Sequence, residues 1–292
     1  MHIRKVLLAA AGAMALLASA ARAEPMLWKV EDADSTMYMF GTIHILDQGA
    51  PWRAAQFDAA FKGAQEIWFE IDPLKSADPA AFAPYQSLMI DPLRPISKRL
   101  SPEEYALFSK VAGELGVPAA QLDNLRPWLA AVQLTLVGIT RAGGDPNAGV
   151  ERVLAAEVGA RPLKTLETLE QQLRFFADMP EDVERAFLLS SLDELDAGPG
   201  YFQDMVAAWR DGDIAALEEL FLRDMREDYP QTYETLLKQR NLAWAEVLDA
   251  EMRKSGSDFV AVGALHLVGP DGVPALLEAK GYKVRQISAP PK

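Results

Sequence analysis

The chain has 292 residues, half of them hydrophobic, and a formal net charge of −13. This length is ample for a buried core, and so acidic a surface disfavours nucleic acid and anionic lipid as partners. The absence of cysteine excludes disulfides, thiolate catalysis and every cysteine-ligated metal site.

The first 23 residues have the pattern of a secretory signal peptide. Arg4 and Lys5 form a basic start, residues 6–18 form an apolar stretch, and Ala21-Arg22-Ala23 matches a cleavage site. The apolar stretch is too short for an ordinary transmembrane helix. We expect residues 1–23 to be removed and residues 24–292 to form a single exported domain, periplasmic or secreted, with no stable membrane insertion.

The segment that follows predicts an α/β beginning. Residues 26–45 have the pattern of two strands joined by a turn, and residues 52–64 have helical spacing. Residues 66–72 alternate between apolar and polar side chains, which predicts a strand that ends at Pro73.

From there to about residue 255 the hydrophobic spacing is mostly helical. The clearest helix start is Ser101-Pro102-Glu103-Glu104, a capping box with proline at the first helical position. That helix is expected to stop near Gly116. Further helices are predicted at residues 119–141, 149–158, 168–177, 181–196, 201–211, 214–226 and 231–254, with one short strand at residues 161–166.

The C-terminal part returns to an α/β pattern. A strand is predicted at residues 259–267, then a helix with Pro274 in its first turn, then a strand at residues 282–287. We therefore predict one α/β domain with a mixed sheet built from the N- and C-terminal parts of the chain. A large helical insertion, about residues 101–255, separates those parts.

Beyond the signal peptide the chain has two histidines, and both follow a predicted strand in the frame Gly-x-x-His. The frames are Gly41-Thr42-Ile43-His44 and Gly263-Ala264-Leu265-His266. Open α/β sheets bind ligands at the carboxyl ends of their strands, so the two imidazoles are expected to share one site. Either histidine alone is more simply interpreted as a core residue, but the matched frames favour the shared site.

A carboxylate would complete such a site, and Glu70 is the best candidate by position. It follows Phe69, where burial can raise its pKa and suit it to proton transfer. Two histidines and a carboxylate can also bind manganese, cobalt, iron or zinc. The alternative is that Glu70 is a surface acid on an edge strand. Asp72, on the same face, is a weaker candidate.

Four other polar residues are candidates for a role. Glu151 and Glu167 lie at predicted helix starts, where an acid either caps the helix or faces the same crevice. Arg240 and Asn241 lie within a predicted helix, where arginine usually pairs with an acid but can also clamp a substrate carbonyl. The chain has no nucleophile elbow, P-loop, dinucleotide-binding glycine fingerprint or His-Glu-x-x-His helix.

Taken in order, several segments resemble the TraB/GumN group, which is related to the Tiki metalloproteases. The resemblance covers essentially all of the chain after the signal peptide, and residues 262–272 are its most specific part. The matching segments are Leu27-Trp28-Lys29-Val30, Phe40-Gly41-Thr42-Ile43-His44, Phe69-Glu70-Ile71-Asp72, Leu166-Glu167-Thr168 with Gln172, Arg240-Asn241 with Trp244, and residues 262–272.

The resemblance implies an active site in which His44, His266 and Glu70 hold one divalent ion. Tiki-like members are described as manganese- or cobalt-dependent peptidases, so either metal is expected before zinc, and the expected substrate is a peptide or protein. Glu70 would be a ligand or the general base, and Arg240 or Asn241 would stabilise the developing oxyanion.

The same superfamily leaves two alternatives open. It includes erythromycin-esterase-like hydrolases, which correspond here to a metal-independent hydrolase. It also includes haem-binding ChaN-like lipoproteins, which correspond to a non-catalytic protein that binds a metal, haem or a peptide. The absence of a lipidation cysteine counts against a ChaN-like role.

Overall fold

A computed structural model describes residues 24–288 of the chain. The predicted signal peptide, residues 1–23, lies outside the described residues. Within residues 24–288 no helix combines the length and apolarity needed to cross a lipid bilayer.

Most strands join one sheet that is drawn from both ends of the chain. The strands are β1 (Leu27–Glu31), β2 (Ser35–Thr42), β3 (Leu46–Asp47), β4 (Glu66–Phe69), β5 (Gly144–Asp145), β6 (Leu163–Thr165), β7 (Gly256–Gly263) and β8 (Lys283–Gln286). Six of them form a sheet in the order β6-β4-β7-β2-β1-β8, and β3 pairs with β5 separately. The strands β6, β4, β7 and β2 are parallel, whereas β1 is antiparallel to both β2 and β8. The predicted α/β class, with a mixed sheet from both ends of the chain, is confirmed.

Helices make up most of the remaining structure. They are α1 (Ala55–Gly63), α2 (Gln86–Met89), α3 (Ile96–Arg99), α4 (Pro102–Glu114), α5 (Ala119–Leu122), α6 (Pro127–Arg141), α7 (Val150–Glu157), α8 (Leu169–Ala177), α9 (Glu181–Asp196), α10 (Gly200–Arg210), α11 (Ile214–Leu217), α12 (Arg223–Asp228), α13 (Pro230–Tyr233), α14 (Gln239–Met252) and α15 (Val273–Ala279). Two 3₁₀ segments, Pro79–Tyr85 and Ala264–Leu267, and two π-helical turns, Glu218–Leu222 and Glu234–Lys238, complete the description.

The main core lies on the central strands β2 and β7. Phe40 of β2 and Phe259 of β7 are almost fully buried. Phe57 of α1 packs its ring 4.6 Å from Phe40 and 5.3 Å from Phe259, centroid to centroid. These edge-to-face aromatic contacts fix α1 against the sheet.

The helical insertion has a second core of its own. Phe108 of α4, Leu134 of α6 and Leu188 of α9 are fully buried in a cluster distinct from the sheet core. Glu184 of α9 joins the helices, because it accepts hydrogen bonds of 3.0 and 2.9 Å from the Arg126 guanidinium beside the start of α6. The helices α4, α6 and α9 therefore pack on one another, whereas α7, α10 and α14 contribute buried side chains to the sheet core. The insertion also contributes β6 to the sheet.

Three sequence predictions fail at element ends. The predicted strand 66–72 ends at Phe69, and the predicted strand 259–267 ends at Gly263, after which the chain turns into a 3₁₀ segment. The predicted helix 119–141 is two helices, α5 and α6, because Pro127 lacks the N–H that a continuous helix needs and holds Arg126 in an extended conformation.

Two further differences lie within the insertion and just before it. The predicted helices 214–226 and 231–254 are each interrupted by a π-helical turn. Helical structure also begins before residue 101, in Pro79–Tyr85, α2 and α3, where each segment is too short to show a full apolar period.

Candidate active site

Four neighbouring parallel strands bring four polar side chains to one edge of the sheet. His44 follows β2, His266 follows β7, Glu70 follows β4, and Glu167 follows β6. Because parallel strands end at the same edge, residues that are distant in sequence meet there. The Glu167 N–H donates to the Glu70 carbonyl at 2.8 Å, which continues the pairing of β4 and β6 beyond the sheet.

The glycines of the two Gly-x-x-His frames allow these segments to approach closely. A Cβ on Gly41 would lie 3.1 Å from the Ala264 Cα, and one on Gly263 would lie 3.1 Å from Glu70 Oε1. The Gly263 N–H also donates to Glu70 Oε1 at 2.7 Å. A side chain at either position would therefore press on a neighbouring segment, which favours glycine.

Arg240 of α14 is the centre of the hydrogen-bond network. Its Nη2 donates to Glu70 Oε2 at 2.6 Å and to Glu167 Oε2 at 2.9 Å, and its Nε donates to Glu167 Oε1 at 2.8 Å. Its Nη1 donates to the Leu236 carbonyl at 3.0 Å and lies 3.2 Å from His266 Nε2. All five N–H groups of the guanidinium thus have an acceptor. The single positive charge of Arg240 neutralises the carboxylates of Glu70 and Glu167 only in part.

His266 is held in one tautomer by Asn241. The Asn241 Nδ2 donates to the Asp271 carbonyl at 2.8 Å, so its Oδ1 is the atom that faces His266 Nδ1, 2.5 Å away. Nδ1 therefore carries the proton, and Nε2 accepts from Arg240. Burial lowers the pKa of His266 to about 3, so this imidazole is neutral at physiological pH.

His44 is paired with a carboxylate instead. Its Nδ1 lies 2.7 Å from Glu151 Oε1, which also accepts a hydrogen bond from the Thr42 hydroxyl. The Glu151 carboxylate raises the pKa of His44 to about 9. The His44 side chain is 68 % exposed and lines a large cavity, so its second nitrogen, Nε2, faces the cavity rather than the core.

Glu70 is ionised, although its burial was expected to favour the neutral form. Burial by itself raises the pKa of Glu70, but the charges of the Arg240 guanidinium and of His44, with the hydrogen bond from the Gly263 N–H, outweigh it and lower this pKa to about 2. Gln172 also donates to Glu70 Oε2 at 3.2 Å. The expected raised pKa is therefore wrong, and Glu70 is poorly suited to act as a general acid.

The cavity above these residues has a volume of about 680 Å³ and mostly apolar walls. His44, Glu70, Arg240 and His266 are among the residues that line it. The walls come mainly from the helical insertion and include Met89, Trp128, Val132, Leu136, Phe176 and Met225. A few polar groups in a largely apolar cavity of this size are typical of a small-molecule or peptide site.

A comparison with known protein families shows to which family the chain belongs. A family model described as the TraB/PrgY/gumN family matches residues 26–286. The chain belongs to this family.

Curated relatives cover most of the chain at low identity. The uncharacterized protein YbaP of Escherichia coli (strain K12) is 26 % identical over 247 residues, which cover 82 % of this chain and 87 % of YbaP. YbaP of Shigella flexneri gives the same values. An uncharacterized protein of Treponema pallidum (strain Nichols) is 23 % identical over 269 residues, covering 86 % of this chain and 79 % of that protein. No solved structure matches significantly.

In this TraB/PrgY/gumN member the structure brings His44, Glu70, Arg240 and His266 to one cavity. Asn241 lies behind His266 and does not line the cavity, so it orients the imidazole rather than facing a substrate. Asp72 is not part of the cluster, because its carboxylate accepts from the backbone N–H groups of the following turn.

Sequence reasoning from the residues alone gave no role to Gln172, Thr42 or Trp244. Trp244 donates its indole N–H to Glu167 Oε1 at 2.8 Å and places its ring centroid 4.3 Å from that of His266. The available signal was the spacing between Arg240 and Trp244, which puts both on one face of α14.

The arrangement does not fit the three-ligand metal site that the resemblance implied. Arg240 N–H groups contact Glu70 Oε2 and His266 Nε2, and the Gly263 N–H occupies Glu70 Oε1. Within residues 24–288 no three His, Asp or Glu side chains are grouped so that they could hold a metal ion. The site at His44, Glu70 and His266, with manganese or cobalt, stays an untested prediction.

Proposed function

We propose that this protein is a hydrolase that cleaves an acyl bond, by preference the amide bond of a peptide with apolar side chains. The supporting observation is the meeting of His44 and Arg240 on the wall of one apolar cavity. The apolar lining favours a substrate with bulky hydrophobic groups, since burying them is the main source of binding energy. The signal-peptide pattern supports action outside the cytoplasm.

In this proposal His44 handles the proton of the attacking water. The neutral form of His44, which its pKa of about 9 makes the minor form near pH 7, accepts this proton at Nε2 and later returns it to the leaving group. Glu151 stabilises the imidazolium that forms, since its Oε1 faces Nδ1 at 2.7 Å. Of the two imidazoles, only that of His44 turns a ring nitrogen toward the cavity without a hydrogen-bond partner among the described residues.

Arg240 acts through its charge. Its N–H groups are committed to Glu70, Glu167, Leu236 and His266, so no donor is left for a substrate oxygen. A fixed positive charge on the wall of a mostly apolar cavity still stabilises a developing oxyanion. Glu70 and Glu167 hold the guanidinium in place, and no step of this scheme requires a metal.

The test is hydrolysis of fluorogenic peptides and simple esters with apolar side chains by the full chain, with and without EDTA. We expect turnover that persists in EDTA and falls by about 100-fold or more in His44→Ala, because the proton acceptor is lost. Arg152→Ala, an exposed change beside Glu151, serves as the matched control and should keep full activity. Circular dichroism checks that each variant is folded.

Other outcomes would separate the alternatives. Turnover that needs added manganese or cobalt, and that His266→Ala abolishes, would replace this scheme by the metal-dependent one. Tight retention of an apolar peptide without any product would support a binding protein. Full activity of His44→Ala would refute the role given to this residue.

A further inference from the structure

Glu151 is a buried carboxylate that contacts the site from outside the cavity. It lies in the first turn of α7 with 8 % exposure and is absent from the cavity wall. An acid at a helix start usually bonds to the free N–H groups of its own helix. In α7 no such side-chain bond is present, and Glu151 instead faces His44 Nδ1 and the Thr42 hydroxyl.

The backbone around Glu151 is locked to the segment that carries His44. The Val150 N–H donates to the Ile43 carbonyl at 3.0 Å. Gly149 packs so closely that a Cβ there would lie 2.0 Å from the His44 carbonyl oxygen. On the other side of His44, β3 pairs with β5 through Leu46 and Asp145. Backbone contacts on both sides of His44 thus hold the Glu151 carboxylate beside the imidazole.

The second histidine has a matching arrangement with a neutral partner. Asn241 Oδ1 binds His266 Nδ1, just as Glu151 Oε1 binds His44 Nδ1. In both rings Nδ1 faces an acceptor, which leaves the opposite nitrogen, Nε2, to face the cluster. The acceptor is an amide oxygen for His266 and a carboxylate oxygen for His44. Only the hydrogen bond of His44 therefore becomes a bond between two charged groups when its ring is protonated.

We propose that Glu151, supported by Thr42, is a positioning residue that holds the Nδ1–H of His44 and directs Nε2 into the cavity. Its effect on turnover rests on the proposed hydrolase function, but the positioning of the ring does not. Carboxylates that orient metal-ligating histidines typically contribute about 10- to 100-fold to activity, and we expect an effect of the same size at His44. Thr42 completes the acceptor by donating to the same Oε1.

The experiment observes the ring N–H groups directly. The ¹⁵N-labelled full chain has three histidines, and the His44→Asn and His266→Asn variants assign the signals of those two rings. We expect a low-field, slowly exchanging Nδ1–H resonance from each of His44 and His266. In Glu151→Ala the His44 resonance should disappear through exchange with water, while the His266 resonance stays.

A conservative variant keeps the test decisive if Glu151→Ala fails to fold. Glu151→Gln retains the size and an acceptor oxygen but not the charge, so the His44 resonance should remain and shift upfield. Arg152→Ala should leave both resonances unchanged. If the wild type lacks the His44 resonance, or if Glu151→Gln leaves it at the wild-type position, the proposal is refuted.

Activity provides a second, separate readout. With any substrate found by the hydrolysis test, kcat should fall about 10- to 100-fold in Glu151→Ala with little change in KM, and Glu151→Gln should restore part of it. Absence of any substrate would count against the hydrolase function and leave the spectroscopic result intact. An unchanged kcat together with a lost resonance would refute the catalytic consequence alone.

Discussion

The two histidines share a sequence frame but differ in charge behaviour. Glu151 raises the pKa of His44 to about 9, whereas burial lowers the pKa of His266 to about 3. Identical residues in matched frames thus carry different roles, because a pKa is set by neighbours that lie elsewhere in the sequence. His44 suits proton transfer, and His266 suits a fixed neutral contact with Arg240.

Asp258, at the start of β7, gives a pH prediction away from the site. Burial, together with the charges of Glu251 and Glu66, raises its pKa from 3.8 to about 6. The fold therefore favours the protonated form, and stability is lost as the pH rises from about 3.8 to about 6, with the full loss present above pH 6. Asp258→Asn should raise the free energy of unfolding at pH 8 by about 1 kcal/mol, after allowance for solvent screening.

This gain should be much smaller near pH 4, where Asp258 is protonated in the folded state and only partly ionised in the unfolded state. Urea unfolding at pH 4, 6 and 8 measures it, with the exposed Asp204→Asn as control. A gain of equal size at all three pH values would contradict the assigned cause.

At the scale of elements, the join between α7 and the His44 segment depends on Gly149. Its φ of −56° is available to any residue, so the requirement is purely steric. Gly149→Ala should lower the free energy of unfolding by about 1–3 kcal/mol, because α7 must move away from residue 44. Chemical denaturation measures the loss.

Gly63→Ala, at the end of α1, is the matched control, because a Cβ there meets nothing within 4 Å. It should leave stability nearly unchanged. A Gly149→Ala protein as stable as the wild type, with an unaltered His44 ring N–H resonance, would show that this contact is not needed to position α7.

Long periodic helices and capping boxes were predictable from sequence, as α9 and the start of α4 illustrate. Strand ends were not, because the alternation of β4 continues through Glu70 although pairing with β7 stops at Phe69. The 3₁₀ turn that carries His266 could not be predicted for the same reason, because the apolar pattern of β7 continues into it.

For the site, the repeated frame identified His44 and His266, and position on a strand identified Glu70. The partners of Arg240 could not be predicted, since they come from three separate segments that meet only in the folded chain. Glu151 was ambiguous, because an acid in the first turn of a helix has the same sequence pattern whether it caps the helix or reaches another segment.

On the scale of the whole molecule, the sheet core and the insertion core are distinct clusters. The sheet core includes β2 and β7 and is the larger, so its amides should exchange only through global unfolding. Amides of α4 and α9 should exchange through a partial opening of lower free energy. Native-state hydrogen exchange across a denaturant series measures both, and a single common free energy would contradict two cooperative units.

The pairing of β2 with β7 also has a consequence for biosynthesis. His44 leaves the ribosome long before His266, yet the two imidazoles meet only after both strands have joined the sheet. A nascent chain that ends within the insertion, or an N-terminal fragment cut there, lacks His266. The topology therefore delays the meeting of the two imidazoles until translation has passed β7.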